Sequence, residues 1–533
     1  MFVPQHIPYN QTNAFSKIVD DYVNGTDSLR PFYAHDVTLD GIDKAIEQKR
    51  KSPVNRNVLV DVLTDQYRTS QPHEAVQNSI QLLRKDTTFS ICTAHQPNIY
   101  TGPLYFVYKI LHAVRLSREL KKQRPQYDFV PVYYMGSEDA DLEELNHFTV
   151  DGKRYEWKTS QKGSVGRMYV DQVLVDLISQ LQQQIGVAPF GSEIANRFFK
   201  AFTKGKTVQQ AMLDLVNDLF GDYGLVVLIA DEPRLKKLYI PVLEADLFLH
   251  EPSRIVEATC NRLAEHHSVQ QYPRDINVFY LKDAIRQRIE KTEEGYKVHD
   301  QDLTFTETEL KELLHTHPEQ FSPNVILRGL YQETILPNIA FIGGGGELAY
   351  WLQLKDLFDH FQVPYPVLVL RNSFLVVEEK WKDKIEKLGF TLADFFQEPD
   401  QLLNRIVDRT SANKVRLNGN FEKAENLYDQ ISLQAGEIDA TLRQHVAALK
   451  TRSLKYLEEL EKKMLRAEKR KYEAQNRQLR QIKSNLFPNE NLQERVENMS
   501  YFYAQWGTDW LHAIYEHSLS LEQQFVILTH QKN

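Results

Sequence analysis

Two cysteines in 533 residues, Cys92 and Cys260, leave no material for a disulfide framework or a cysteine-rich zinc site. That scarcity fits a reducing compartment. Long apolar runs are missing too: no stretch approaches the roughly 18 consecutive apolar residues of a membrane span. The opening segment, MFVPQHIPYNQTNAF, has neither the basic start nor the apolar core of a secretory signal. A soluble cytoplasmic protein without a membrane partner is expected. Surplus positive charge is also absent. With 64 Lys and Arg against 72 Asp and Glu, a net charge of −8, the chain is poorly suited to coating nucleic acid, which relies on clustered cations. Apolar residues themselves are not scarce. A hydrophobic share of 42% beside 26% charged residues describes a globular chain with a real core, and the length allows two or three folding units.

The hydrophobic pattern supplies the fold class. Helices are expected near 41–51 and 73–85. Phe89–Thr93 reads as a buried strand and 94–102 as a loop. Leu104, Val107, Leu111 and Val114 then form a helical stripe within 103–120, and a second buried strand follows at Phe129–Met135. An acidic segment after it should open a helix. Strand, loop, helix, strand is the rhythm of a parallel α/β sheet. It returns with strands at Tyr223–Ala230, Asn338–Ile342 and Pro366–Leu370. We therefore divide the chain into the first half of a Rossmann-like core (1–150) and a connective insertion (151–215). The second half (216–375) carries an inner insertion at about 246–322. Beyond it, Phe421, Ala424, Tyr428, Ile431, Ala435, Ile438, Leu442 and Leu449 form a seam of alternating threes and fours. That spacing predicts a coiled coil or helical hairpin within 376–490, with a break at Gly436 and the residues after it. The aromatic-rich tail, 491–533, should pack back onto the core.

Chemistry is expected where strands end, the usual ligand position in open α/β sheets. After the first strand come His95, Gln96 and, further on, Thr101, Gly102 and Tyr105. His95 is able to shuttle a proton near neutral pH, and Gly102 admits a ligand close to the backbone. A structured turn accounts for these residues equally well. After the second strand, Glu138, Asp139, Asp141 and Asn146 offer oxygen ligands for an ammonium group or a sugar, whereas plain capping would explain some of the acids. Glu143 and Glu144 read as solvated surface. The third segment, Gly343, Gly344, Gly345, Gly346 and Glu347, has strand–glycine–helix geometry that cradles an anion, although it matches no dinucleotide or phosphate-loop pattern. Arg328, just upstream, suits a carboxylate or phosphate as well as a surface ion pair. His315 and His317 lack companions at metal-ligand spacing, so no metal site is expected. Cys92, inside a strand, reads as a core residue.

Taken together, TAHQPNIYTGPLYFVYK, VPVYYMGSEDADLEELNH and SPNVILRGLYQETILPNIAFIGGGGELAYWLQL resemble the signature blocks of the bacillithiol biosynthesis cysteine-adding enzymes. LRAEKRKYEAQNRQLRQIKSNLFPNENLQER and YFYAQWG resemble that family's coiled-coil and C-terminal regions, so the likeness spans nearly the whole chain. Gln96, Thr101, Gly102 and Tyr105 match the first block, which usually begins Gly-Gln-Gln where this chain has His95. Ala140 stands where many members carry a histidine. The resemblance implies a Rossmann-like core similar in shape to class I aminoacyl-tRNA synthetases, and a coiled coil that supports a homodimer. The implied reaction is a ligase step joining the carboxyl of L-cysteine to the amino group of glucosaminyl malate. ATP is the natural cosubstrate for activating a carboxyl, with ATP or ADP held at the glycine turn (Gly343–Glu347). The substrates would meet Gln96, Thr101, Gly102, Tyr105, Glu138, Asp139, Asp141, Asn146 and Arg328, with His95 and Asp139 as the catalytic candidates. Two alternatives remain at this point: another nucleotide-dependent ligase or nucleotidyltransferase on the same core, and a coiled-coil scaffold with a vestigial core.

Overall fold

The structure, a computed structural model, describes residues 1–411 and 416–531. Its centre is a sheet of five parallel strands: β1 (Thr88–His95), β2 (Asp128–Met135), β3 (Val226–Ile229), β4 (Asn338–Gly343) and β5 (Val367–Leu370). Nearly every residue of these strands is buried, because helices cover both faces and an all-parallel sheet has no solvated side. The third strand is shorter than the apolar run that predicts it, since Gly221–Tyr223 forms a 3-10 turn instead. The strand order is β5-β4-β1-β2-β3, which from the opposite edge is the doubly wound 3-2-1-4-5. Connections leave β1 in one direction and reach β4 in the other. A crevice therefore opens between β1 and β4, at their carboxyl ends.

Three helices wall that crevice: α1 (Tyr105–Gln123), α2 (Val325–Ile335) and α3 (Gly345–Trp351). The acidic segment after β2 yields only the four-residue helix Leu142–Leu145, capped by Asp141, whose carboxylate accepts the Glu144 backbone N–H at 3.1 Å. The later of the two inserted stretches contains a five-stranded antiparallel sheet that periodicity does not reveal. Its strands are two to eight residues long, and the longest, Ile285–Thr292, carries charge at alternate positions on a half-covered surface.

The seam beyond residue 416 forms an antiparallel pair, α4 (Asn418–Ile438) and α5 (Leu442–Lys469). The chain passes helically through Gly436 and breaks at Asp439, whose carboxylate accepts the Thr441 backbone N–H at 2.8 Å. No residue of α4 is buried, and Leu427, Ile431, Leu433 and Leu449 remain exposed. Among the described residues, no helix is long and apolar enough to cross a membrane.

The C-terminal segment is tied to the core at several points. Strand Phe525–His530 lies between Phe2–Ile7, antiparallel, and Ser373–Glu378, parallel. Trp510 and Tyr503 are fully buried. The most consequential contact is made by residues 493–498. Gln493 hydrogen-bonds both the N–H (3.0 Å) and the C=O (3.1 Å) of Val376, acting as a strand partner. Glu494 accepts from Arg371 (2.7 Å), Ser373 Oγ (3.1 Å) and Phe374 N–H (3.2 Å). Asn498 donates to the carbonyls of Tyr100 (2.9 Å) and Gly102 (2.6 Å), fixing the loop between β1 and α1.

Glu497 accepts the Asp151 N–H at 3.1 Å, yet burial pushes its carboxyl up to about 8, only partly offset by the Asp151 and Asn498 amides. A carboxyl whose folded value lies above its ordinary 4.5 binds more protons folded than unfolded. Its contribution is therefore complete below about pH 4.5 and is lost as pH rises towards 8. Urea titrations across that window should show stability falling with pH, and Glu497→Gln should flatten this part of the slope. An unchanged slope would place the titrating group elsewhere.

Candidate functional site

A cavity of about 580 Å³ occupies the crevice at the carboxyl ends of β1 and β4. Four segments build its walls. The end of β1 supplies His95 and Gln96. The first turns of α1 supply Tyr105 and Lys109, one helical turn apart and so on one face. Arg328 and Gln332 come from α2, and the turn into α3 supplies Gly344, Gly345, Gly346 and Glu347. Arg371, just past β5, and Arg495, from the C-terminal segment, complete it.

The walls are rich in charge. Lys109 is buried, donates to the Ala94 carbonyl at 2.8 Å and pairs closely with Glu347. Burial lowers its pKa and the Glu347 carboxylate works against that shift. Glu347 also accepts the Gly344 N–H at 2.8 Å. The glycine turn thus caps its helix with its own acid. Gly345 is held against Val19, where a Cβ would come within 3.1 Å, but a Cβ on Gly346 would meet nothing within 4 Å. Gly346 is the glycine of this turn with the most free space beside its backbone.

Arg328 carries the sharpest signal. Among the described residues its guanidinium makes no hydrogen bond, and its single ion pair is a loose 3.7 Å contact with Asp139. A guanidinium has five donors, and here no protein acceptor takes them, which leaves them available to a carboxylate or phosphate in the cavity. Asp139 also accepts from Gln96 at 3.4 Å and from the Asp141 N–H at 3.2 Å. Burial would raise its pKa, but the Arg328 and Arg286 guanidiniums outweigh that and hold it below the usual range. His95 has its Nε2 buried without a partner and packs edge-on against Tyr105 at 5.3 Å. Burial, reinforced by Lys109, Arg371 and Arg328, pushes its pKa well down, so the imidazole is neutral at physiological pH.

The residues singled out from sequence separate into those that line the cavity and those that do not. His95, Gln96, Tyr105, Arg328, Gly344, Gly345, Gly346 and Glu347 line it. Gly343 ends β4, where a Cβ would collide with Phe341 at 2.8 Å. Thr101 is fully buried and Gly102 adopts φ 61°, its approach being to Asn98 and Asn498 rather than to a ligand. Asp139 lies one layer back, against Arg328. Glu138 is also displaced: it pairs closely with the buried Lys236, which neighbours Asp231 at 3.8 Å, and Asp231 in turn holds Arg167 through two 2.6 Å bonds. Asp141 is a cap, and Asn146 contacts His147 at 3.3 Å outside the cavity. Glu144, which reads as surface, is the member of the acid cluster that reaches the cavity, its pKa raised by burial and by Asp139 and Asp141. Lys109 was visible in principle, one turn after Tyr105. Arg371 and Arg495 carry no local signal, because they arrive through β5 and the distant C-terminal segment. His315 and His317 each face an acid at 3.0 Å, Glu244 and Glu319.

With this geometry established, comparison with known proteins is decisive. Residues 3–372 match the description "Bacillithiol biosynthesis BshC, N-terminal Rossmann-like domain", and residues 374–530 match the C-terminal coiled-coil domain of the same description. The chain belongs to the BshC family. A relative named "Putative cysteine ligase BshC" from Flavobacterium johnsoniae is 36% identical over 98% of this chain and 99% of its own. A second with the same name, from Cytophaga hutchinsonii, is 37% identical over 94% of each. The BshC assignment makes the chain a ligase. A solved chain from Campylobacter jejuni titled "putative arginyl t-RNA synthetase" aligns at 12% identity over 84% of this chain and 98% of its own. Its TM-score is 0.23, too low to carry any argument.

Substitutions in the glycine turn should separate space from packing. Gly346→Val should leave the thermal midpoint nearly unchanged and weaken ligand binding by filling the cavity. Gly345→Val should lower the midpoint through its clash with Val19. If the two variants unfold alike, the turn has only a packing role.

Proposed function

We propose that this BshC-family ligase joins the carboxyl of L-cysteine to the amino group of glucosaminyl malate in the cytoplasm, giving bacillithiol. The observation that supports it best is Arg328, a guanidinium in the cavity wall with no hydrogen-bonding partner among the described residues, beside an end-of-strand crevice. Cysteine and the acceptor both carry carboxylates, and a planar fork of donors suits them. Amide formation expels one oxygen of an activated carboxyl as the amine nitrogen bonds to its carbon, and ATP is the activating cosubstrate this reading calls for. Before attack the amine must lose a proton. Glu144, its pKa raised by burial and by Asp139 and Asp141, offers a carboxylate to the ammonium form and takes up its proton. His95, held neutral, is a hydrogen-bonding group of the wall. The gain comes mainly from holding two reactants together in a site shielded from water. Family relatives bearing the cysteine-ligase name support the donor assignment.

Purified protein supplied with cysteine and glucosaminyl malate, with and without ATP, should form bacillithiol detectable by mass spectrometry. Arg328→Ala should lower kcat/KM by roughly 10- to 100-fold, the scale of lost hydrogen bonds to a charged group. No product under any nucleotide condition defeats the reading, and formation of a different amide would favour another ligase on the same core. The exposed apolar residues of α4 and α5 support a homodimer through the hairpin. Sedimentation as a monomer at micromolar concentration would remove that part of the proposal.

A further inference from the structure

The cavity has two cationic poles, and the C-terminal segment supplies one of them. At the first pole, Arg328 stands by the end of β2: a Cβ on Gly136 would lie 3.1 Å from its Nη1. At the second, Arg371 stands by the end of β4, its Nε 3.5 Å from the equivalent position on Gly344. β1 lies between β4 and β2, so the poles are two strand spacings apart, roughly 10 Å. His95 and Lys109 occupy the ground between them.

The second pole is built to stay in place. Arg371 spends its terminal nitrogens on Glu494 (2.7 Å), the Asn372 carbonyl (3.0 Å) and Ser373 Oγ (3.1 Å). Its Nε has no acceptor among the described residues, and the Tyr105 ring lies 5.3 Å from its guanidinium carbon. Immediately after Glu494 comes Arg495, which lines the same cavity from the rim. Gln493 and Glu494 fasten this short helix to strand Ser373–Glu378, leaving Arg495 as the residue the segment presents. Among the described residues Arg495 has no ion pair, whereas Lys109 and Arg371 are neutralised by Glu347 and Glu494. Arg495 is therefore the uncompensated charge of this pole. Glu144, the cavity-wall acid that has no ion pair among the described residues, favours a ligand that brings an ammonium group along with its carboxylates over a plain polyanion.

We infer that Arg495, with the Nε–H of Arg371, forms the subsite for the dicarboxylate end of the acceptor, so that the C-terminal domain sets acceptor specificity. This rests on the ligase reading above and adds to it where the acceptor's malate group lies. The first pole, Arg328, is then left for the cysteine side.

Malate alone is a suitable probe, because its binding is measured without turnover. Titration calorimetry on the full-length protein should show malate binding that weakens about 10-fold or more in Arg495→Ala and is partly kept in Arg495→Lys. Arg495 is exposed and makes no structural bond, so the variants should fold normally. In steady-state assays Arg495→Ala should raise KM for glucosaminyl malate by a similar factor and leave KM for cysteine within about twofold. Absence of malate binding to the wild type overturns the subsite. So does equal affinity in Arg495→Ala, or a matching rise in the KM for cysteine. Loss of malate binding in Arg495→Ala, without any bacillithiol formed by the wild type, would keep the subsite and sink the reaction.

Discussion

The ion pair between Arg371 and Glu494 is the contact on which the rest of the site depends. Both side chains are almost wholly removed from solvent, and taking two charges out of water is expensive unless every remaining donor and acceptor is met. Here all but one are met: Glu494 accepts three bonds, Arg371 donates to two further oxygens beside it, and only its Nε has no acceptor among the described residues. Such a pair adds little net stability over a well-packed apolar contact, but it tolerates only one register. It fixes where the C-terminal segment lands on the strand after β5. That single register also determines where Asn498 grips the loop after β1, and where the cavity's outer wall stands.

The charge pattern of the site follows from that arrangement. Glu347 and Glu494 hold Lys109 and Arg371 in fixed positions, while Arg328 and Arg495 keep donors unspent. Fixed dipoles and charges cost no reorganisation when a reaction begins, which is the main advantage of a preformed polar site. Burial and the same cations oppose protonation of His95, so the imidazole stays neutral and is a weak base. A chain with a net charge of −8 thereby presents a locally positive cleft to anionic molecules.

Much of the core was legible from sequence because buried parallel strands are short, apolar and followed by turn residues. The strands at 88–95, 128–135, 338–343 and 367–370 all carry that signature. His95, Gln96, Tyr105 and Arg328 were legible for the same reason, since they sit next to strands or on helices that open from them. Glu138 and Gly102 misled for a physical reason. An acid or a glycine after a strand looks the same in sequence whether it faces a ligand, a buried lysine or a neighbouring asparagine. Arg371 and Arg495 were beyond reach, because they are 124 positions apart and meet only through the tertiary register of Glu494. Glu144 is exposed, as its sequence context suggests, and that it also borders the cavity is something periodicity cannot show.

The three-stranded sheet that joins Phe2–Ile7, Phe525–His530 and Ser373–Glu378 has a consequence for synthesis. A ribosome delivers strand Phe2–Ile7 long before its partner, Phe525–His530. Contacts of such long separation form late, after most local structure has settled. Until then strand Ser373–Glu378 lacks its parallel neighbour. A chain lacking that strand would leave Ser373–Glu378, the strand to which Gln493 and Glu494 are fastened, with an open edge.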